Sequence, residues 1–191
     1  MNVYDFDKTI YDGDSTVDFY LYCLCSQPNL ALCLPRQLIG FIQHAVGRID
    51  TAALKEKFFC FLPKLASPTV RVEEFWKDRQ KKIKGWYLEQ KRGDDVIISA
   101  SPEFLLLPIC RRLGIAPPIA TELDANTGKI TGKNCKGEEK VRRFFERYPD
   151  AEISEFYSDS LTDAPLAQLA KEAFLVQENV RLPWSVSREE R

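Results

Sequence analysis

Histidine is nearly absent from this chain of 191 residues, and the cysteines are not spaced as metal ligands. His44 is the only histidine, and the six cysteines include no Cys-x-x-Cys pair. Zinc is held in proteins by closely spaced cysteine and histidine ligands, so the sequence predicts no zinc site. Most of the cysteines lie in apolar runs, where reduced and buried thiols are expected.

An excess of either charge and long hydrophobic runs are also missing. Lysine and arginine number 27 against 28 acidic residues, a formal net charge of -1, which does not indicate nucleic-acid binding. The most apolar stretch, residues 30–46, is interrupted by Pro35, Arg36 and His44, and it is a poor candidate for a membrane span. Asp5 lies where a signal peptide would carry positive charge, so we expect a soluble, cytoplasmic protein.

The order of predicted elements indicates an α/β protein. A short strand at Asn2–Tyr4 is followed by helical patterns between residues 14 and 91, and strands and helices then alternate from Val96 onward. Such alternation is typical of βαβ units and a parallel sheet. The sequence therefore predicts a Rossmann-like core formed by residues 1–13 and 92–191. An all-helical insertion, residues 14–91, follows the first strand.

Individual elements are predicted from apolar periodicity and from helix-breaking residues. In the insertion we expect four helices. The first begins at Asp14 or Ser15, and the others span 30–46, 52–62 and 72–91, with Pro35 kinking or splitting the helix at 30–46. In the core we expect strands at 96–98, 117–121, 153–157 and 173–176, helices at 103–113, 138–148 and 161–171, a hairpin across 121–131, and a loosely ordered tail after Pro183.

Asp5 and Asp7 follow the first strand and lie two residues apart, so on an extended backbone their side chains point the same way. Thr9 continues that alternation, and Gly13 marks a turn. Two neighbouring carboxylates repel each other, and a divalent cation is the usual compensation. The pair therefore predicts a metal site.

Other polar residues follow the later strands. Ser99 ends the strand at Val96, while Asp159 and Asp163 follow the strand at Ile153. Lys136 and Lys140 lie near the start of the helix that precedes that strand. Ligands of parallel α/β sheets bind beyond the carboxyl ends of the strands, so these groups are expected to meet at one edge.

The order of these residues resembles the four motifs of the haloacid dehalogenase superfamily. The motifs are Asp5-Phe6-Asp7-Lys8-Thr9, then Ser99, then a lysine, then Asp159 and Asp163. The helical insertion resembles the C1 cap of that family. Together with the run Asn134-Cys135-Lys136-Gly137-Glu138-Glu139-Lys140, it resembles the phosphoserine-phosphatase-like branch, subfamily IB.

The resemblance implies a phosphomonoester hydrolase that depends on Mg²⁺ and acts on a small phosphorylated metabolite. Asp5 would be the nucleophile that forms an aspartyl-phosphate, and Asp7 would carry the proton. Asp159 and Asp163 would complete the Mg²⁺ site with Asp5 and the backbone carbonyl of Asp7. A further set would bind the phosphoryl oxygens: Thr9, Ser99 and Ala100. The lysine would neutralise charge and restrain Asp5. Lys136 and Lys140 each match one version of the motif, so both stay open.

The helical insertion is expected to select the substrate. Asp14 matches the position where phosphoserine phosphatases carry a glutamate for the substrate's amino group, but residues 54–58 offer lysines and no arginine for its carboxylate. Phosphoserine is one alternative. A second is a lipid such as phosphatidylglycerophosphate, since the insertion is rich in aromatic residues and its 30–46 segment could touch a membrane surface.

Two rival classes of function are weaker. A calcium loop of the EF-hand type needs glycine at its sixth position and glutamate at its twelfth, where this chain has Ile10 and Thr16. A non-catalytic member of the family, which keeps the fold and only binds partners or metal, is expected to have lost Asp5 or Asp7. Both are present.

Overall fold

A computed structural model describes residues 1–184 of the chain, and the statements below concern that range. Its six strands form one sheet in the order β3-β2-β1-β4-β5-β6. All neighbouring strands are parallel except β6, which pairs with β5 in the antiparallel sense. The strands are β1 (Asn2–Tyr4), β2 (Val96–Pro102), β3 (Ile119–Thr121), β4 (Ile153–Ser158), β5 (Ala170–Gln177) and β6 (Val180–Pro183). The predicted α/β class with a largely parallel sheet is confirmed.

Five helices separate β1 from β2, and three more accompany the later strands. The first five are α1 (Ser15–Ser26), α2 (Leu34–Ala45), α3 (Thr51–Phe58), α4 (Pro68–Arg79) and α5 (Gly85–Gln90). The others are α6 (Glu103–Leu113), α7 (Glu138–Arg147) and α8 (Ala164–Ala167). Carboxylates of Asp14 and Asp50 accept hydrogen bonds from backbone N–H groups in the first turns of α1 and α3, which fixes where these helices begin.

The central strand β1 divides the hydrophobic core into two layers. Successive side chains of a strand point to opposite faces, and Val3 and Tyr4 accordingly enter different clusters. Val3 packs with Phe144 of α7 and Leu166 of α8. Tyr4 belongs to a larger cluster that also contains Trp76 of α4 and Leu105 of α6. The helical insertion is thus held to the sheet by a shared apolar core.

The long helix predicted at 72–91 is wrong, because a 3-10 turn at Gln80–Lys82 and the extended residues Ile83 and Lys84 separate α4 from α5. Ile83 forms an antiparallel bridge with Tyr11, and the Lys84 N–H donates to the Ile10 carbonyl at 2.8 Å. The Asp12 N–H donates to the Lys82 carbonyl at 2.8 Å. Backbone hydrogen bonds to the loop after β1 therefore replace a helical turn, which periodicity within 72–91 could not reveal.

Two other helices of the insertion are shorter than predicted. The segment 30–46 consists of a 3-10 stretch, Pro28–Cys33, followed by α2, which begins next to Pro35. Proline has no N–H and is well tolerated in a first helical turn, so it splits the segment. The helix predicted at 52–62 ends at Phe58, and a second 3-10 stretch, Phe59–Lys64, contains Pro63.

The helix predicted at 161–171 is also wrong in length. A 3-10 turn at Leu161–Asp163 leads into the four residues of α8, and β5 already begins at Ala170. Five residue pairs join β5 to β4, starting with Ile153 and Ala170. This pairing prevails over the helix propensity of the alanine, leucine and lysine residues in the segment.

Three smaller predictions differ from the structure. The hairpin expected across 121–131 is reduced to one bridge between Leu123 and Ile130. Strand β6 was not predicted, and it follows a two-residue turn in which Glu178 has a positive φ of 53°. Trp184 is buried against Phe156, contrary to the loose tail predicted after Pro183. The rest of that predicted tail, residues 185–191, lies outside the described residues.

None of the helices within residues 1–184 is both long and apolar enough to cross a membrane.

Candidate active site

A cavity of about 350 Å³ opens beyond the carboxyl ends of the parallel strands, where ligands of such sheets bind. Nine of the residues predicted from the sequence line it: Asp5, Asp7, Asp14, Ser99, Ala100, Lys136, Lys140, Asp159 and Asp163. Thr9 is fully buried and is not among the lining residues. Nine residues singled out from the sequence thus border one cavity, and Thr9 lies behind its wall.

The loop after β1 aims both carboxylates at the cavity. The Asp5 N–H donates to the Tyr157 carbonyl at 2.8 Å, which continues the β1–β4 ladder by one residue. Phe6 turns into the core, stacks on Tyr11 and meets Trp76 edge to face. With Phe6 anchored there, its neighbours Asp5 and Asp7 point to the opposite side, as the spacing predicted.

Lys140 is the lysine that reaches the carboxylates. Its Nζ donates to Asp5 Oδ1 at 2.8 Å and to Asp163 Oδ2 at 2.6 Å, and its side chain is 3% exposed. Burial alone would lower the pKa of Lys140, but the two carboxylates raise it above its usual value. Lys136 is exposed and only borders the cavity. Of the two lysines left open by the sequence, Lys140 is the one that contacts the carboxylates.

Burial also governs Asp5. Removal from water raises the pKa of its carboxyl, while the charge of Lys140 lowers it and the nearby Asp163 raises it again. Without further positive charge, the ionised form of Asp5 is therefore only partly compensated.

Asp7 is held by groups that sequence reasoning did not identify. Ser101 Oγ donates a short hydrogen bond to Asp7 Oδ2, and the Ser15 N–H donates to Oδ1 at 2.6 Å. Thr16 Oγ1 lies 3.2 Å from Ser101 Oγ and extends this network into α1. Burial raises the pKa of Asp7 to about 6, repulsion from Asp14 adds to the rise, and the two serines oppose it.

Ser99 and Ser101 lie two residues apart on β2, so both face the cavity. The Ser101 N–H donates to Ser99 Oγ at 3.1 Å. The sequence prediction ended this strand at Ser99, whereas β2 continues to Pro102. The same alternation that was used for Asp5 and Asp7 would have revealed Ser101, had the strand been extended by three residues.

Asp159 and Asp163 occupy different environments. The Asp159 N–H donates to Thr9 Oγ1 at 2.9 Å, so the buried Thr9 fixes the backbone of Asp159. Burial raises the pKa of the Asp159 carboxyl. Asp163 Oδ2 accepts hydrogen bonds from Ser158 Oγ and from Lys140.

One side chain of the helical insertion reaches across to the core. Lys55 of α3 donates to the Ala100 carbonyl at 2.6 Å and to Asn134 Oδ1 at 2.5 Å. Burial lowers its pKa to about 8. Asp14 lies at the same rim, where its carboxylate caps α1 by accepting from the Val17 N–H at 3.0 Å. The rim therefore combines a cation, an anion and an amide.

The carboxylates of the cavity are the donors available to the Mg²⁺ that the motifs imply. Within residues 1–184, no three carboxylate, thiol or imidazole side chains converge closely enough to hold a metal as they stand. Asp5, Asp7 and Asp159 nevertheless border one cavity, and burial raises the pKa of each. Buried oxygen ligands that lack counter-charge suit a hard divalent cation. The residues present therefore fit Mg²⁺ by their chemistry.

Comparison with curated sequences gives partial matches. Protein CicA of Caulobacter vibrioides is 33% identical over 95 residues, which cover 47% of this chain and 42% of that protein. A probable phosphatase of Mycobacterium tuberculosis is 37% identical over 91 residues, which cover 44% of this chain and 31% of that protein. The matched regions thus span less than half the length of either relative.

Comparison with solved structures covers nearly the whole chain. A protein of unknown function from Bordetella pertussis Tohama I superimposes with a TM-score of 0.76 at 22% identity, over 92% of this chain and 88% of that one. A substrate-bound phosphoserine phosphatase superimposes with a TM-score of 0.55 at 15% identity, over 90% of this chain and 82% of that one. These likenesses establish a shared fold.

The family model for haloacid dehalogenase-like hydrolases matches residues 3–168, most of the chain, including both aspartate motifs and the lysine between them. The chain belongs to the haloacid dehalogenase-like hydrolases, as its motifs predicted, and shares the fold of the phosphoserine phosphatases in that family.

Proposed function

We propose that this protein hydrolyses phosphomonoesters in two steps, through an aspartyl-phosphate formed on Asp5, with a small phosphorylated metabolite as substrate. The observation that carries the proposal is the position of Lys140 between Asp5 and Asp163, at 2.8 and 2.6 Å, beside the cavity that Asp7 also lines. The probable phosphatase named among its relatives agrees with this reaction class.

In the first step, a carboxylate oxygen of Asp5 attacks phosphorus, and the bond between phosphorus and the ester oxygen breaks. Asp7 donates its proton to the leaving alkoxide. In the second step, Asp7 takes a proton from water as the water attacks the phosphoryl group, which releases inorganic phosphate and restores Asp5. A pKa of about 6 allows Asp7 to act as both acid and base near neutral pH.

Lys140 and Ser99 support the nucleophile and the phosphoryl group. Lys140 favours the ionised form of Asp5 and fixes its orientation from the side of Asp163. Ser99 is 2% exposed and borders the cavity, where its hydroxyl would donate to a phosphoryl oxygen. Donors fixed in place before the reaction are effective because they need no rearrangement when charge develops.

Mg²⁺ would be held by Asp5 and Asp159, with the carbonyl of Asp7, and it would supply positive charge between the Asp5 carboxylate and the phosphoryl oxygens. Asp163 supports this arrangement through its ion pair with Lys140. Burial raises the pKa of the Asp5 and Asp159 carboxyl groups, so their ionised forms would be stabilised by a bound cation.

The size and polarity of the cavity favour a small, polar substrate. Its volume is about 350 Å³, and Asp14, Lys55 and Asn134 border its outer part. Asp14 could meet an ammonium group and Lys55 a carboxylate, which keeps phosphoserine among the candidates. Lys55 is already bonded to Ala100 and Asn134, and an ammonium lacks the two-pronged geometry of arginine, so phosphoserine is not the favoured substrate.

Replacement of the nucleophile tests the proposal. Purified protein with Mg²⁺ is assayed for phosphate release from an aryl phosphate and from a panel of phosphorylated metabolites, and Asp5→Asn is expected to lose essentially all activity. Asp12→Asn, an exposed change in the same loop, is the matched control and should retain it. If Asp5→Asn releases phosphate at the wild-type rate, the mechanism is wrong. If wild type releases none from any compound, the protein is a non-catalytic binder.

A further inference from the structure

Helix α2 presents its apolar side to solvent. Six large hydrophobic side chains are between 48% and 62% exposed, and we call them the outer face of α2: Leu34, Leu38, Ile39, Phe41, Ile42 and Val46, the last of which follows the helix. At 100° per residue they occupy one continuous side of the helix. A surface helix of a globular protein normally has the opposite arrangement.

The polar side of α2 faces the protein. Gln37 is 3% exposed, and its Nε2 donates to the Phe58 carbonyl at 2.9 Å. A Cβ placed on Gly40 would lie 2.9 Å from Lys57 Cβ, so α2 and α3 are in close contact there. His44 Nε2 lies 3.4 Å from Thr51 Oγ1. These contacts fix the rotation of α2 and leave the outer face exposed.

An apolar groove lies along the outer face. It encloses about 510 Å³, and its lining residues are Tyr20, Leu34, Pro35, Gln37, Leu38, Phe41 and Phe58. It is separate from the candidate active site, whose lining residues are different. Exposed apolar surface of this kind usually marks an interaction site.

The surroundings of the outer face are basic, although the chain as a whole is nearly neutral. Residues 28–49 contain Arg36 and Arg48 and no aspartate or glutamate. The 3-10 stretch Phe59–Lys64, which packs against the stretch before α2, adds the exposed Lys64 and again no acid. The next carboxylate after residue 49, Asp50, caps α3.

We infer that the outer face of α2 docks on an anionic lipid surface, with α2 lying parallel to the membrane. Apolar side chains on one side of a helix enter the boundary between headgroups and acyl chains, and neighbouring cations are attracted to anionic lipids. Twelve residues make a helix of about 18 Å, which suits a position within the interface and is too short to cross a hydrocarbon core of about 30 Å.

The charges argue against a second copy of the chain as the occupant. Pairing of two outer faces would bring the basic surroundings of each, Arg36, Arg48 and Lys64, towards those of the other without acidic partners. An anionic surface would complement them. The inference does not depend on phosphatase activity, because none of the residues of the outer face borders the candidate active site.

The full-length protein is incubated with vesicles of phosphatidylcholine, with or without about 30% phosphatidylglycerol, at about 0.1 M salt. Bound protein is measured by sedimentation. Wild type is expected to sediment with the anionic vesicles and much less with the neutral ones. The double variant Leu38→Asp/Ile42→Asp is expected to lower the partition coefficient at least about tenfold. Arg36→Ala/Arg48→Ala should weaken binding to anionic vesicles only.

Leu88→Asp/Leu169→Asp is the matched control, since these leucines are 48% and 47% exposed on α5 and after α8. This variant adds the same charge and should bind vesicles like wild type. Circular dichroism checks that each variant is folded. Equal binding of wild type and Leu38→Asp/Ile42→Asp overturns the inference. A second result also overturns it: wild type does not bind vesicles and is a dimer in analytical ultracentrifugation, whereas Leu38→Asp/Ile42→Asp is a monomer. A second copy of the chain would then cover the outer face of α2.

Discussion

At the scale of single residues, the proton carrier proposed for catalysis is positioned by two serines and a threonine from different parts of the chain. Ser101 belongs to β2, while Ser15 and Thr16 belong to α1 of the insertion. The Ser15 N–H and the Ser101 hydroxyl bind the two oxygens of Asp7, and Thr16 contacts the Ser101 hydroxyl. Because a carboxylate that must exchange a proton in two directions needs a fixed position, Ser101 should affect turnover more than binding.

Ser101→Ala is expected to lower kcat about tenfold or more and to leave KM nearly unchanged. The physical reason is the loss of a hydrogen bond to a buried charged group, which is worth about 1.5 to 3 kcal/mol. Steady-state kinetics with an aryl phosphate measure the effect. Ser26→Ala is the control, because Ser26 is exposed and its hydroxyl contacts only carbonyls of its own helix. An unchanged kcat would show that Ser15 alone positions Asp7.

Replacement of each candidate lysine should have a different effect on both the stability and the activity of the protein. Lys140→Met leaves Asp5 and Asp163 buried without their cation, which costs about 3 to 5 kcal/mol of unfolding free energy and should abolish turnover. Lys136→Met removes an exposed charge and should change stability by less than about 0.5 kcal/mol. Urea denaturation and kinetics of both variants check this. Equal losses in the two variants would contradict the assignment to Lys140.

Among single residues, the sequence identified those whose position follows from a strand end. Asp5, Asp7, Ser99, Asp159 and Asp163 were found in this way, because the carboxyl ends of parallel strands share one edge. The sequence narrowed the lysine only to two candidates, because the contacts of Lys140 with Asp5 and Asp163 join residues that are far apart in the chain. Lys55 reaches Ala100 and Asn134 through tertiary contact alone, and no local pattern encodes that contact.

At the scale of elements, α7 is tied to the rest of the core by arginines that Glu139 holds in place. Glu139 accepts hydrogen bonds from Arg142 and Arg143, and Arg143 also donates to the carbonyls of Ala120 and Lys133. Hydrogen bonding from Arg142, with that from Arg143, lowers the pKa of Glu139 to about 2. Since α7 carries Lys140, the contacts of Glu139 and Arg143 also help to hold Lys140 in position at the candidate active site.

A carboxyl group whose pKa is lower in the folded state contributes stability above its unfolded pKa, and this contribution is lost as the pH falls through the folded pKa. Glu139→Gln should therefore lower Tm by a few degrees at pH 7. The difference in Tm from wild type should shrink as the pH falls from 4.5 to 2. This window is set by the pKa of Glu139, which is about 4.3 in the unfolded chain and about 2 in the folded protein. Thermal unfolding followed by circular dichroism measures both.

Glu146→Gln is the control for this experiment, because Glu146 pairs with the same Arg142 from a side chain that is 60% exposed. Exposed pairs contribute little, so its Tm should follow that of wild type at every pH. A constant difference between Glu139→Gln and wild type from pH 7 to pH 2 would contradict the prediction.

Helices were predicted well where a local residue ends them. They were predicted poorly where pairing with a distant segment determines the backbone conformation. Helix α6 was predicted at 103–113 and ends there, because Gly114 adopts a positive φ of 68°. The 72–91 and 161–171 helices failed because the backbone of Ile83 pairs with Tyr11 and that of Ala170 with Ile153. Their partners lie 72 and 17 residues away in the sequence, beyond any local window.

At the scale of the whole molecule, we expect the buried carboxylates to make the stability of the protein depend on divalent cations. A ligand that binds only the folded state stabilises it by about 2.7 kcal/mol at one hundred times its dissociation constant. Mg²⁺ at that excess should raise Tm by several degrees relative to protein in EDTA. Differential scanning fluorimetry measures the shift. Asp159→Asn should reduce it strongly.

Asp94→Asn is the control for the magnesium experiment, since Asp94 is 63% exposed and does not line the cavity. It should keep the full Tm shift. A shift that is equal in wild type and in Asp159→Asn would mean that Mg²⁺ binds elsewhere, and no shift in wild type would remove the metal from the proposed mechanism.

The hydrogen bonds that join residues 82–84 to the loop after β1 close the segment that carries α1–α4 into a loop, with only α5 of the helical insertion outside it. The Asp12 N–H and the Lys82 carbonyl are 2.8 Å apart, although about seventy residues separate them in the chain. Because segments whose ends lie close together tolerate insertion and exchange, we expect changes of length within α1–α4 to leave the register of the sheet unaltered. The aromatic contacts of Phe6 with Trp76 set the limit, because any exchanged insertion must supply an apolar surface for Phe6.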